Sequence, residues 1–208
     1  MKATSKIAVI VANGPDLELK STEELLNRID VVIRALPGFK EICIITSQRV
    51  VDFCSLEKFQ FSREVNLVKA RRTKGALATL CVGIDSISNS SELFVIPINC
   101  LISVNALEHF AEVVSKSGEK SGVLTIKSKD PIYSYARITQ SGKLIEILEK
   151  EVVGNVALSG VFYFRNAFEL LQCASWAFKY NVNTNGQFYI APALNYFIAI
   201  GESIMVCS

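Results

Sequence analysis

The strongest constraint on the fold of this chain is the alternation of short apolar strands with amphipathic helices. Residues 7–12 form a continuous run of β-prone apolar side chains, and Asn13-Gly14-Pro15 ends it. Such a run is typical of a central strand in a sheet that is covered on both faces. The same reasoning predicts further strands at residues 42–46, 65–68, 93–98 and 122–126. Short helical crossovers between such strands produce a parallel sheet.

The helices between these strands have recognisable beginnings and ends. Ser21-Thr22-Glu23-Glu24 is a capping box, in which the Ser21 hydroxyl and the Glu24 carboxylate satisfy free main-chain donors. Apolar residues then recur at helical spacing until Pro37-Gly38. Similar patterns predict helices at residues 75–87, 107–114 and 166–178, and Pro192 is expected to open a final helix that ends at Gly201.

The second half of the chain has a different pattern. Residues 135–139 and 143–148 flank Gln140-Ser141-Gly142, which predicts a β-hairpin, and residues 156–164 predict one more strand. No low-complexity linker and no internal repeat separates the halves. We therefore expect one α/β domain over residues 1–208, a Rossmann-like three-layer sandwich around a mixed, mostly parallel sheet. Its parallel α/β half spans about 1–127, and its mixed α+β half spans about 128–208.

Composition excludes several classes of protein. The 22 Lys and Arg residues against 20 Asp and Glu leave a net charge of +2, too small to indicate nucleic acid as a partner. The short apolar run near the start cannot serve as a signal peptide or a membrane span, so we expect a cytoplasmic protein. The six Cys and single His lack zinc-site spacing, and no metal-binding residues are assigned. Most of the Cys residues lie in apolar runs and are interpreted as small buried side chains, and a Cys nucleophile paired with His109 is set aside.

In open α/β sheets, ligands bind beyond the carboxyl ends of the strands. Asn13 and Gly14 follow the first strand, where main-chain N–H groups can meet phosphate oxygens, although an ordinary turn is an equal reading. Asn99 follows the fourth main strand, but a neutral oxygen is a poor single ligand for a divalent cation. Gly75 begins a helix, which favours either an anion site or a plain helix start. The GxGxxG and P-loop fingerprints are absent.

Five segments, in this order and spacing, resemble the sugar-phosphate nucleotidyltransferases, the nucleotide-sugar pyrophosphorylases of glycosyltransferase-A-like fold. They are Thr-Lys-Gly-Ala-Leu-Ala-Thr-Leu from Thr73, Glu-Leu-Phe-Val-Ile-Pro-Ile-Asn from Glu92, Gly-Lys-Leu-Ile-Glu-Ile-Leu-Glu-Lys from Gly142, Leu-Ser-Gly-Val-Phe-Tyr-Phe from Leu158, and Asn-Gly-Gln-Phe-Tyr-Ile-Ala-Pro-Ala-Leu-Asn from Asn185. The resemblance covers about two thirds of the chain. It implies joining of a nucleoside triphosphate to a sugar 1-phosphate, with release of pyrophosphate and Mg²⁺ as cofactor.

The resemblance also implies roles for individual residues. Four residues are assigned to nucleotide binding. Asn13 and Gly14 lie in the loop around the triphosphate, Gly75 lies near the base, and Asn99 follows the fourth strand. Lys150, in a Glu-Lys element, is assigned to binding of the sugar phosphate, and Ser159 and Gly160 are assigned to contact with the sugar ring. The implied partners are a nucleoside triphosphate or a nucleotide sugar, with a homo-oligomer left open and with neither nucleic acid nor membrane. No catalytic residue is assigned.

The chain departs from the family pattern at catalytic positions. The family's opening loop carries an Arg followed by Pro-Lys, whereas this loop contains Asp16 and Glu18, whose carboxylates would repel a triphosphate. Asn99 stands where the family has a metal-binding Asp, so binding of Mg²⁺ has little support. The family pattern places a second metal-binding Asp beyond the last helix, near Ser208. We therefore expect a nucleotidyltransferase-like domain with weak or no activity. The alternatives are a regulatory or scaffolding partner of an active paralogue, and a glycosyltransferase.

Overall fold

A computed structural model describes residues 5–12, 21–55, 59–87, 90–98 and 102–208. The strands in this part of the chain are β1 Lys6–Ala12, β2 Glu41–Thr46, β3 Asn66–Lys69, β4 Glu92–Pro97, β5 Ser121–Lys127, β6 Ser134–Ile138, β7 Leu144–Glu149, β8 Val156–Phe164 and β9 Met205–Cys207. The α-helices are α1 Thr22–Arg34, α2 Gln48–Ser55, α3 Ala76–Gly83, α4 Val104–Ser117, α5 Ala167–Lys179, α6 Ile190–Ala193 and α7 Asn195–Ala199. None of these helices combines the length and the apolar character needed to cross a membrane.

The strands form one mixed sheet in the order β3-β2-β1-β4-β8-β5-β9. Strands β3, β2, β1 and β4 are parallel, whereas β8 runs antiparallel to both β4 and β5. The β6–β7 hairpin joins the beginning of β8 through the pairing of Tyr135 with Ala157. As a result, the carboxyl ends of four parallel strands share one edge of the sheet with the first half of β8.

Helices cover both faces of this sheet and produce three layers. Successive side chains of β1 point to opposite faces, so Ile7 and Val9 belong to one core while Ala8 and Ile10 belong to the other. The first core is closed by α3, α5, α6 and α7, and the second by α1 and α4. This architecture confirms the predicted α/β class, because a continuous apolar strand requires cover on both of its faces.

Several helix ends match the local sequence signals. The Ser21 hydroxyl accepts a hydrogen bond from the main-chain N–H of Glu24 at 3.1 Å, as predicted, whereas the Glu24 carboxylate, predicted to accept from the main chain, pairs with Arg28 at 3.3 Å. Asn166 caps α5 by accepting from the N–H of Glu169 at 3.0 Å. Gly118 ends α4 in the left-handed conformation, with φ of 75°.

Other details of the sequence interpretation were wrong. The predicted final helix from Pro192 to Gly201 is two short helices, α6 and α7, and Pro192 lies inside the first of them. Helix α2 and strand β9 were not predicted, because the eight residues of α2 are a weak periodic signal and β9 has only three residues.

A buried carboxylate fastens helix α1 to the segment that leads into β3. Asp30 is 7% exposed and accepts hydrogen bonds from the main-chain N–H of Ser62 at 2.7 Å and from Arg34 Nε at 2.8 Å. Burial alone would raise the pKa of Asp30, but the bonds from Ser62 and Arg34 outweigh it and lower the pKa below its ordinary value. The charged form of Asp30 therefore stabilises the folded state.

We expect Asp30→Asn to lower the free energy of unfolding at pH 7 by about 1–2 kcal/mol, because an ionised acceptor contributes more than a neutral one. The folded-state pKa of Asp30 is lowered, so the loss of unfolding free energy in Asp30→Asn is complete above the unfolded-state pKa of about 3.9. The loss disappears as pH falls through the folded-state pKa, because Asp30 of the wild type is then neutral as well. Denaturant unfolding of both proteins across that pH range measures the difference.

The matched control is Glu24→Gln on the same helix. Glu24 pairs with Arg28 on the exposed surface, so this change should cost less than about 0.5 kcal/mol at any pH. A difference between Asp30→Asn and wild type that persists unchanged at low pH would contradict the role assigned to the Asp30 charge.

Candidate ligand-binding cleft

A cleft of about 580 Å³ opens at the carboxyl edge of the sheet. Its floor is the end of β4, where Pro97 lies beside Val11 of β1 in the parallel register and Ile98 follows. Strand β8, the loop before β6, the end of β7 and residues 187–191 form its walls. This volume lies within the range of about 300–1,000 Å³ that is typical of small-molecule sites.

Four residues that the sequence analysis assigned to a ligand site lie together in this cleft. Gly75, Lys150, Ser159 and Gly160 all line it, although they come from three separate parts of the chain. The other assigned residues, Asn13, Gly14 and Asn99, lie outside the described residues. The strands that they follow, β1 and β4, are nevertheless neighbours in the sheet.

Gly160 brings strand β8 close to the end of β4. Its φ is 89°, in the region that favours glycine, and a Cβ atom there would lie 3.0 Å from Cγ of Pro97. The pairing of β8 with β5 is irregular at the same level, between Val123 and Thr125. The neighbouring Ser159 lines the cleft, and its hydroxyl accepts from the N–H of Val161 at 3.2 Å. This part of the wall therefore depends on a position that only glycine fills without strain.

Gly75 has a second role that the sequence did not reveal. Its φ is 104°, and a Cβ atom there would lie 2.4 Å from the carbonyl oxygen of Phe188 and 2.6 Å from its nitrogen. Two main-chain hydrogen bonds hold this contact, from Phe188 N–H to Lys74 O at 2.8 Å and from Leu77 N–H to Phe188 O at 3.1 Å. Gly75 therefore lets the start of α3 pack directly on another segment of the same chain.

That segment, residues 187–189, enters the cleft from a tight turn. Asn185 and Gly186 both have positive φ, 52° and 74°, and Thr184 and Gln187 exchange two main-chain hydrogen bonds of 3.0 Å. These are the features of a type I′ turn, which Asn-Gly favours. The turn places Gln187 and Tyr189 in the cleft wall. Both were absent from the predicted site residues, although the Asn-Gly pair signals this turn.

Two polar groups in this wall differ in their partners. The side-chain oxygen of Gln187 is buried and has no hydrogen-bond partner in the described part of the chain. Tyr189, in contrast, accepts a hydrogen bond at its hydroxyl from Lys150 Nζ at 3.1 Å, and Nζ lies 5.0 Å from the centre of the ring. The cleft wall thus contains a lysine that an aromatic side chain already engages.

The described lining offers little to a divalent cation. Glu149 is the one carboxylate in that lining, and it accepts a hydrogen bond from the Ser134 hydroxyl. Across residues 5–12, 21–55, 59–87, 90–98 and 102–208, no three His, Cys, Asp or Glu side chains cluster as a metal site would require. Mg²⁺ at nucleotide sites is usually held by one or two carboxylates together with phosphate oxygens and water, and Glu149 is the one such group in the described lining, so the Mg²⁺ that the family resemblance implies stays a prediction.

The described thiols are not poised as nucleophiles. Burial raises the pKa of Cys43 and that of Cys81 to about 11, and it raises the pKa of Cys173 further still. A thiol with such a pKa stays protonated near neutral pH, and the protonated form is a poor nucleophile.

No protein-family model matches the chain, and no curated protein matches it either. Solved structures do. A nucleoside-diphosphate-sugar pyrophosphorylase from Vibrio cholerae RC9 aligns over 97% of this chain and 91% of its own, with 15% identity and a TM-score of 0.68. A UDP-glucose pyrophosphorylase in complex with UDP-glucose aligns over 99% and 90%, with 16% identity and a TM-score of 0.71.

An inositol-1-phosphate CTP transferase from T. maritima aligns over 100% of this chain and 86% of its own, with 14% identity and a TM-score of 0.72. The chain has their fold. The pyrophosphorylase fold explains why the cleft lies at the carboxyl edge of the parallel strands, since that is where open α/β sheets bind ligands.

The packing at Gly75 leads to a test of the cleft's construction. Gly75→Ala should destabilise the protein by about 2–4 kcal/mol, because the new methyl group meets the Phe188 main chain and the backbone conformation disfavours alanine. Chemical unfolding of the purified variant measures the loss.

Gly142→Ala is the matched control, because Gly142 also has positive φ, 83°, but nothing lies within 4 Å of a Cβ atom there. Gly142→Ala should lower the free energy of unfolding by about 1–2 kcal/mol, which is the cost of placing alanine at positive φ without any new contact. Equal losses in the two variants would show that contact with Phe188 is not what requires glycine at position 75.

Proposed function

We propose that the cleft binds a nucleoside triphosphate or a nucleotide sugar and that the protein is a nucleotidyltransferase-like domain. The observation that carries this proposal is the meeting of Gly75, Lys150, Ser159 and Gly160 in one cleft. The sequence motifs around these residues are the ones that resemble nucleotide-sugar pyrophosphorylases, and the fold is shared with such enzymes. The sequence motifs and the geometry of the cleft therefore support the same site.

The distribution of charge also favours an anionic ligand. Lys150 is the one cationic side chain in the described cleft lining. Lys69, Arg71, Arg72 and Lys74 are exposed between the carboxyl end of β3 and Gly75, on the same edge of the sheet as the cleft. A concentration of positive charge beside a cleft attracts phosphate-bearing ligands and raises their local concentration.

We further propose that this chain turns over its ligand slowly. A pyrophosphorylase stabilises developing charge on phosphate oxygens with fixed cations. The sequence has Asn99 in place of the expected Asp, and Asp16 and Glu18 in the opening loop. Loss of one such stabilising group typically lowers kcat about a hundredfold to a thousandfold, and effects of this kind do not add simply.

The scaffolding alternative has less support. Helix α5 exposes Phe168, Leu171 and Phe178, and exposed apolar side chains of this size occur at protein interfaces. No feature of the described chain selects a partner for that surface. Binding in the cleft is therefore the function that the geometry favours.

Ligand binding is tested by titration calorimetry with UDP-glucose, CTP, UTP and glucose 1-phosphate. Lys150→Gln should weaken binding of whichever of these ligands the wild type binds by about 10- to 100-fold, because a hydrogen bond to a charged group contributes about 1.5–3 kcal/mol.

Lys143→Gln is the control, since Lys143 is also exposed but lies in the turn between β6 and β7, outside the cleft lining. It should leave the affinity unchanged. Equal losses for both lysine variants, or no binding of any of the four ligands by the wild-type protein, would reject the proposed function.

A further inference from the structure

Lys150 has an unusual main-chain conformation for a non-glycine residue. Its φ is 56°, in the left-handed region, and its N–H donates to the carbonyl oxygen of Tyr133 at 3.1 Å. Such a conformation persists only where the surrounding structure fixes it, and it occurs often at functional sites. The main chain therefore directs the Lys150 side chain from the end of β7 in a defined way.

Strand β7, which Lys150 directly follows, is fixed to the helices that follow Tyr189. The side chain of Asn195, the first residue of α7, accepts from the N–H of Ile147 at 2.8 Å and donates to its carbonyl oxygen at 2.8 Å. This pair of bonds joins β7 to α7 in the manner of a neighbouring strand. Tyr189 immediately precedes α6, only six residues before Asn195. Lys150 and Tyr189 are thus held at a set separation by the contact between Ile147 and Asn195, neither of which lines the cleft.

Across this fixed separation, Tyr189 contacts the ammonium group of Lys150 in two ways. Its hydroxyl accepts a hydrogen bond at 3.1 Å, and its ring lies 5.0 Å from Nζ, within the range of a cation–π contact. Lysine has four rotatable bonds, and an ordered side chain loses much of that freedom. A side chain that is ordered before the ligand arrives does not lose this freedom on binding.

We infer that Tyr189 is a positioning residue, which orders the Lys150 ammonium group for a phosphate-bearing ligand without itself contacting that ligand. The inference rests on the proposed function for the identity of the ligand, but the ordering of Lys150 is a property of the protein alone. The two parts can therefore be tested separately.

The first test needs no ligand. In the full chain labelled with ¹³C-lysine, NMR relaxation of the ε-methylene carbon reports the order of each lysine, and Lys150→Gln identifies the Lys150 signal. We expect Lys150 to be ordered in the wild type and clearly more mobile in Tyr189→Leu, with Lys143 as the reference for a mobile side chain. Tyr189→Phe, which keeps the ring but loses the hydroxyl, should be intermediate. An unchanged Lys150 signal in Tyr189→Leu overturns the inference.

The second test measures binding of UDP-glucose and of inorganic pyrophosphate by calorimetry. Tyr189→Leu should weaken binding about two- to tenfold, which is the range expected for loss of order in one side chain. In the Lys150→Gln background, Tyr189→Leu should produce no further loss. An equal loss in both backgrounds would show that Tyr189 acts on the ligand directly, and it would overturn the positioning role.

The outcomes separate this inference from the proposed function. If the wild type binds neither probe while Lys150 loses its order in Tyr189→Leu, the positioning role is supported and phosphate binding is rejected. Thermal unfolding of every variant verifies that it is folded. If Tyr189→Leu does not fold, Tyr189→Phe serves in both tests, and unchanged order and affinity in that variant would overturn the inference.

Discussion

The cleft depends on the direct approach of two main-chain segments, at Gly75 and at Phe188. Two hydrogen bonds and a missing side chain let the start of α3 meet residues 187–189 at a separation that any Cβ atom would prevent. This contact ties the parallel half of the sheet to the segment that carries Gln187 and Tyr189. Together with the hydrogen bonds between Asn195 and Ile147, it fixes the wall that faces Lys150 relative to the carboxyl edge of the sheet.

The site combines rigid construction with a sparse set of charges. Its shape is set by glycine positions, by main-chain hydrogen bonds and by the two hydrogen bonds between Asn195 and Ile147 of β7. Lys150 and Glu149 are the only charged side chains in its described lining, and each has a hydroxyl partner, Tyr189 and Ser134. This sparse set of charges is one basis of our proposal that the cleft binds its ligand but turns it over slowly, since fixed cations stabilise the charge that develops during phosphoryl chemistry.

Much of the fold could be predicted from the sequence, because continuous apolar strands and capped helices are local signals. The strand at residues 7–12 and the helix that begins after Ser21 are examples. The short helix α2, strand β9 and the break at Leu194 were not predictable, because tertiary packing decides such short elements. In the cleft, the motif around Gly75 predicted that this residue belongs to a ligand site, but its contact with Phe188 joins residues 113 positions apart, and no local pattern encodes it. Tyr189 was missed for the same reason, since its partner Lys150 lies 39 residues away.

Our proposal is that this protein has a ligand-binding cleft but lacks the charges for rapid turnover. The test measures release of pyrophosphate from a panel of nucleoside triphosphates and sugar 1-phosphates in the presence of magnesium. Binding of a nucleotide sugar is measured on the same preparation. The account predicts saturable binding with turnover far below about one per second, well under typical enzyme rates. Turnover near one per second with any pair of substrates would contradict it.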